Sequence, residues 1–140
     1  MASNDSSSDR AQILEILAQY ALLQEQDGGF GSWLELFAED ATFHIFRRSL
    51  HGRQEISDML AAAPHGIHLM GLPAITLDGD TARSITNFVF FPHEGDARTM
   101  GWYFDDYKRG DDGWLITEHT LKMCTPDCAL FENPWPTAPG

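Results

Sequence analysis

Apolar residues recur at helical spacing through the first part of the chain and alternate with polar ones through most of its second half. Ile13, Leu14, Ile16, Leu17, Tyr20, Ala21 and Leu23 form one broad stripe, which predicts a helix starting near Arg10 and stopping before Gly28-Gly29. Ser8 or Asp9 is placed to cap it, and the Ser- and Asp-rich stretch Met1 to Asp9 reads as a disordered lead-in. A second short helix fits Gly31 to Ala38, with Trp33, Leu34 and Phe37 inward. The chain then turns into an alternating segment, Ala41 to Phe46, that reads as a strand or hairpin arm closed by Gly52. Arg53 to Ala63 is a third helix, apolar at Ile56, Met59 and Leu60 and stopped by Pro64.

Four strand-like segments follow: His68 to Leu77, Thr81 to Phe91, Thr99 to Lys108 and Trp114 to Met123. Asp-Gly-Asp, Pro-His-Glu-Gly-Asp and Arg-Gly-Asp-Asp-Gly turns separate them, so consecutive strands should pair as an antiparallel sheet. Helices first and a meander afterwards predict an α+β domain, in which about three N-terminal helices cover one face of a curved antiparallel sheet around a central, cone-shaped cavity. A length of 140 residues suits one such domain, over residues 10–124. The stretch 125–140 carries Pro126, Pro134, Pro136 and Pro139 with Phe131 and Trp135, too irregular for a strand and too aromatic for a plain linker. It is expected to lid the pocket, to reach a neighbouring subunit, or to be a mobile end.

The 4 Trp and 9 Phe either line an apolar ligand cavity or fill an aromatic core. A net charge of −12 argues against nucleic acid and anionic membrane surfaces, which require clustered Lys and Arg; Arg47-Arg48 and Lys108-Arg109 are the adjacent basic pairs. No apolar run approaches the roughly 20 residues of a membrane span, and the N-terminus lacks the pattern of a signal sequence, so the expected compartment is the cytoplasm. Cys124 and Cys128 form a solitary Cys-Thr-Pro-Asp-Cys without a second ligand pair, which reads as two reduced cysteines and no metal. No phosphate loop, nucleophile elbow or flavin fingerprint occurs, so no cofactor is expected.

The chemistry concentrates where the third helix ends: His65 to Arg83 carries a histidine pair into a strand closed by Asp78-Gly79-Asp80, which puts the imidazole of His68 at a strand entrance beside the expected pocket. An imidazole there suits acid–base work, because its ordinary pKa lies near physiological pH. Tyr20 and Tyr103 could donate hydrogen bonds to a substrate oxygen as negative charge develops. Asp105, Asp106, Asp111 and Asp112 straddle the Arg-Gly-Asp-Asp-Gly turn and read as a solvated hairpin end. His44, His51 and His65 read as surface groups.

Several segments match one family in both order and residue type. They are Ile13 through Tyr20, Trp33 through Ala41, Gly52 through Ile56, His68, Asp78 through Ala82, Gly101 through Asp105 and Asp112 through Ile116. Together they resemble the SnoaL-like branch of the nuclear-transport-factor-2-like superfamily, over Arg10 to about Met123. The resemblance implies a cone-shaped α+β barrel whose mouth hosts dehydration, dehydrohalogenation, aldol cyclisation, double-bond isomerisation, epoxide opening or binding alone. His68 resembles the catalytic histidine of the scytalone dehydratase and hexachlorocyclohexane dehydrochlorinase group, and His93 the second histidine of scytalone dehydratase. Those lyases pair the histidine with an Asp at the end of the first helix. Here alignment from Tyr20 reaches Glu25, alignment back from Phe37 reaches Gln26, and Asp27 lies just beyond, so Glu25 or Asp27 is the candidate carboxylate. His119 stands where many relatives have Arg after Gly-Trp, and should also point into the cone.

The resulting expectation is a cofactor-independent lyase acting on a small hydrophobic, aromatic or alicyclic, oxygenated substrate by dehydration, a related elimination or retro-aldol cleavage. His68 removes a proton, Glu25 or Asp27 orients it, and Tyr20 with His93 serves the departing oxygen. Trp33, Met70, Leu72 and Phe88 join Tyr103 and His119 around the substrate. Phe90, Trp102 and Phe104 complete the lining. One alternative is a non-catalytic small-ligand binder or assembly subunit whose cone those side chains fill; another is an isomerase or cyclase of the polyketide or steroid type. Homodimers or homotrimers formed through the sheet are expected from the resemblance.

Overall fold

The computed structural model describes residues 6–23 and 30–124. Helix α1 spans Ser6–Leu23, α2 Phe30–Leu34 and α3 Gly52–Ala62; strands are β1 Phe37–Ile45, β2 Arg48–His51, β3 Gly66–Met70, β4 Ala74–Asp78, β5 Thr81–Pro92, β6 Thr99–Gly110 and β7 Gly113–Met123. The seven strands form one curved, open sheet in the order β2-β1-β7-β6-β5-β3, with β4 also paired to β5. All pairs are antiparallel except β1 with β7, which run parallel and join the early hairpin to the C-terminal meander. The helices pack on the concave side, and the fold is the expected α+β cone.

Most of the helical stripe is buried, namely Ile13, Ile16, Leu17, Tyr20 and Ala21, while Leu14 is 43% exposed; complete burial of a side chain such as Ile13 contributes roughly 1.5–3 kcal/mol. The helix begins at Ser6, earlier than Arg10, and Asp9 is an interior residue and not a cap. Its carboxylate is buried yet satisfied, accepting from both terminal nitrogens of Arg109 at 2.8 and 3.0 Å and from the Trp114 indole at 3.1 Å. That pair fastens α1 to the β6–β7 hairpin, and Arg109 holds the Asp9 carboxyl below its ordinary range.

Two element boundaries also differ from expectation. Phe37 and Ala38 belong to β1, because the Leu36 amide turns back onto the Trp33 carbonyl and the Leu36 carbonyl accepts from Ile116, which commits the chain to the sheet. The expected strand His68 to Leu77 is two strands, β3 and β4, aligned along different halves of β5. Pro73 supplies no amide proton to a ladder, and a side chain at Gly71 would collide with the Asn87 amide.

Alternation then sorts the faces. On β5 Ala82, Ser84, Thr86 and Phe88 face inward, and on β6 Gly101, Tyr103, Asp105 and Tyr107 do. Strand β7 changes phase partway: Asp106 pairs with Glu118 but Tyr107 with Ile116, so Thr117 is an extra residue at a β-bulge. Trp114 and Ile116 are inward before it, and His119 is inward after it. The β1–β2 hairpin closes through Phe46 and Arg47, both at positive φ (49° and 63°), a turn conformation that suits glycine or asparagine far better.

Candidate active site

Tyr20 enters the cone from the last turn of α1. Its backbone carbonyl accepts from the Trp33 indole at 3.1 Å, and the fully buried Trp33 ring packs on Tyr20 and Phe37 at 5.2 and 4.7 Å between centroids. Trp33 is thus a strut that fixes Tyr20, and it does not line the cavity described below.

The Tyr20 hydroxyl lies 3.0 Å from Nε2 of His119, whose Nδ1 is hydrogen-bonded to the carboxylate of Asp105. Asp105 and His119 are direct partners in the β6–β7 register, and both are almost fully buried. The bulge at Thr117 is what brings them together, since unbroken alternation from Ile116 would present Glu118 and Thr120 instead. Tyr103 stacks on the His119 ring at 4.6 Å, and Phe43 meets it edge-on at 4.4 Å. With Asp105 ionised, Nδ1–H donates to it and fixes the imidazole's orientation.

In front of this chain of groups lies a cavity of about 110 Å³. Tyr20, Tyr103 and His68 supply polar groups to its wall, and Phe43, Phe88 and Phe90 supply aromatic faces. Phe46 and Thr99 also border it. His68 stands on β3 against Phe90 at 4.7 Å, with the Tyr20 ring 6.3 Å away. Burial, reinforced by His119, pushes the His68 pKa down to about 4, so at neutral pH it is an uncharged imidazole. Burial first, then the Tyr103 phenol, raises the Tyr20 pKa well above its ordinary value, and burial raises that of Tyr103 too; both remain proton-bearing donors.

Beneath the cavity the Ser84 and Tyr107 hydroxyls pair at 2.7 Å. Asp105 Oδ2 and Thr86 Oγ1 are buried there and meet no hydrogen-bond partner among the described residues.

Several expected site residues lie elsewhere. His93 is exposed at the end of β5, its amide donating to the His65 carbonyl at 2.9 Å, because the strand runs out of the cone before reaching it. Leu72 sits in the break between β3 and β4 and is 92% exposed. Trp102 and Phe104 have the opposite parity to Tyr103 and occupy the sheet's outer side. Met70 and Trp102 line a separate groove of about 380 Å³ with Gly71, Met100 and Cys124. Glu25, Asp27 and Cys128 lie outside the described residues.

Asp105, expected in a solvated hairpin end, is the buried carboxylate of the site; its signal was the alternation Tyr103, Asp105, Tyr107, which places it with two aromatic residues. Among the described residues no group of three or more His, Cys, Asp or Glu side chains could hold a metal ion, and no helix is long and apolar enough to cross a membrane.

Comparison with known proteins adds a consistent frame. Residues 5–120 match the SnoaL-like domain family. An uncharacterized protein of Mycobacterium tuberculosis is 31% identical over 137 residues, covering 89% of this chain and 91% of that one. A Nostoc punctiforme protein of unknown function with a cystatin-like fold superposes with a TM-score of 0.77 at 18% identity, covering 89% of this chain and 97% of that one. A candidate scytalone dehydratase of Novosphingobium aromaticivorans superposes with a TM-score of 0.73 at 15% identity, covering 85% and 86%.

Proposed function

Because the chain belongs to the SnoaL-like domain family, with its nuclear-transport-factor-2-like fold, we propose that it is a cofactor-independent lyase that eliminates water, or a comparable leaving group, from a small ring-bearing oxygenated substrate. The observation that carries this reading is the chain Asp105–His119–Tyr20, which ends at the cavity wall, where the uncharged His68 also stands with its ring 6.3 Å from that of Tyr20. Two imidazoles are thereby given different tasks by their surroundings.

His68, which has no charge to lose, accepts a proton from a carbon activated by a neighbouring carbonyl. The Tyr103 hydroxyl donates to that carbonyl oxygen as it gathers negative charge. His119 in its imidazolium form, stabilised by Asp105, donates from Nε2 to the Tyr20 oxygen, which releases the Tyr20 proton toward the leaving oxygen. The departing hydroxide takes that proton and leaves as water, and the proton on His68 returns through solvent to restore His119. A base held near pKa 4 is weak, so the substrate must carry an activating carbonyl or equivalent. The same residues would serve retro-aldol cleavage, and, with the proton returned to another carbon, an isomerisation or cyclisation.

The test is turnover of a panel of cyclic hydroxyketones, followed by ultraviolet absorbance of the conjugated product, with wild type beside His68→Ala and Tyr20→Phe. Elimination by the wild type that both variants lose supports the reading; elimination that survives both sinks it.

A second reading is favoured by the sheet's outer side, where Ile67, Leu69 and Met100 are 47%, 58% and 45% exposed beside the Trp102 groove. Apolar surface of this kind marks association surfaces. It supports an assembly subunit or ligand binder that self-associates as a homodimer or homotrimer, with or without chemistry in the cone.

A further inference from the structure

The chain has nine Lys and Arg against 21 Asp and Glu, so where its uncommitted cations stand is informative. Four are held by the protein itself: Arg10 by the Ile75 carbonyl, Arg53 by the Phe37 carbonyl, Arg83 by Asp106 and Arg109 by Asp9 and Asp80. The side chains of the other five make no hydrogen bond or ion pair among the described residues. Lys108 is near the far end of β6, and Lys122 faces the outer side of the sheet.

The remaining three, Arg47, Arg48 and Arg98, are sequence or cross-strand neighbours of residues that line the cavity. Arg48 is the direct cross-strand partner of Ile45, which lines the cavity, and cross-strand partners share a face of the sheet. Arg47 follows the lining residue Phe46 in the strained β1–β2 turn, and Arg98 precedes the lining residue Thr99. All three are exposed. Glu94 and Asp96 stand in the loop before Arg98, whereas the turn and strand that carry Arg47 and Arg48 have no acidic residue. The interior offers the reverse environment: aromatic walls, tyrosine donors and an uncharged histidine, with no Lys or Arg among the described residues that line it.

We propose that the ligand of this cavity is an amphiphilic acid, with one small, largely hydrocarbon ring inside the cone, its oxygen substituents toward Tyr20 and Tyr103, and a carboxylate at the mouth engaged by Arg48 and its neighbours Arg47 and Arg98. The space sets an upper bound on the ring, since an apolar cavity of ~150 Å³ takes up benzene, and a smaller one of about 110 Å³ with an open mouth leaves room for one small ring at most. On a chain of net charge −12 these cations also give an anionic ligand a local site of entry. This inference rests on the cavity being the ligand site and specifies the class of ligand.

Matched probes test it: phenylacetate and phenylacetamide, titrated into the full chain and followed by amide chemical shifts, differ only in the charge at the mouth. Exposed ion pairs of this kind should make the acid bind roughly three- to tenfold tighter than the amide at low salt. The preference should vanish at about 1 M salt, where the screening length is ~3 Å, and in the R47Q/R48Q/R98Q variant, while amide binding stays unchanged. Equal binding of the two probes, or a preference that survives the triple substitution, overturns the carboxylate inference and leaves the cavity reading standing. Shifts for neither probe at the cavity residues overturn both.

Discussion

The Tyr20 hydroxyl and Nε2 of His119 face each other at 3.0 Å, and the proton state of His119 decides which of them donates. When Nε2 is bare, Tyr20 gives its proton inward; when Nε2 carries hydrogen, Tyr20 receives it and turns its own proton to the cavity. The direction of one hydrogen bond thus couples a buried dyad to whatever occupies the cone.

Tyr20→Phe keeps the ring that packs on Trp33 and removes the hydroxyl, with its links to His119 and to Tyr103. We expect an unchanged fold by circular dichroism and a loss of turnover on the order of 10²- to 10³-fold, the usual effect of deleting one donor to developing charge. Near-wild-type turnover would remove Tyr20 from the mechanism.

Asp105→Asn leaves the volume intact but removes the negative charge that stabilises the His119 imidazolium and lets the amide donate to Nδ1, so His119 keeps Nε2–H as a neutral ring, a far weaker acid toward Tyr20. By the precedent of carboxylate-oriented histidines, activity should fall about 10³- to 10⁴-fold. Nitrogen chemical shifts of the His119 ring report the tautomer independently of activity.

His68 links acidity to stability. Its pKa is about 4 when folded and near 6.5 when unfolded, so the unfolded chain binds more protons between those values. Its contribution is complete above pH 6.5 and is lost as pH falls toward 4. We expect urea denaturation to show this slope, up to about 3 kcal/mol in all, and His68→Phe to lack it. The acidic limb of a pH–rate profile should likewise lie near 4 and not near 6.5.

Asp9→Ala leaves the Trp114 indole without its acceptor and Arg109 with only the exposed Asp80 side, and releases α1 from the β6–β7 hairpin. The melting midpoint should drop clearly, with faster amide exchange in the first turns of α1, whereas Asp80→Ala, at a mostly exposed partner of Arg109, should change little.

Much of the fold was legible because it is written in repeating patterns. The α1 stripe, the Asp78-Gly79-Asp80 turn and the alternation of β5 and β6 each follow from local rules. The site was less so. His68, Tyr20 and Tyr103 could be picked from residue type and position, but the parity of Trp102 and Phe104 could not be settled without knowing which face of β6 is buried. Asp105 was hidden by its neighbour Asp106, since two adjacent acids near a turn look solvated although alternation buries one and exposes the other. The partnership of Asp105 with His119 depends on one extra residue in β7, which no periodicity announces.

That extra residue also makes β7 two strands in one. Its first half, Trp114 and Ile116, plugs the closed end of the cone; its second half, from His119 to Met123, furnishes the open end, and Thr117 lets the two be phased separately. Were Thr117 instead paired regularly with Asp106, the plug would stay in place and Glu118 and Thr120 would turn inward, Glu118 opposite Asp105 in the position of His119. The fold can therefore exchange the chemistry at its mouth by a change of reading along one strand, with no substitution of any residue that does the chemistry, and without disturbing the packing that keeps the cone closed.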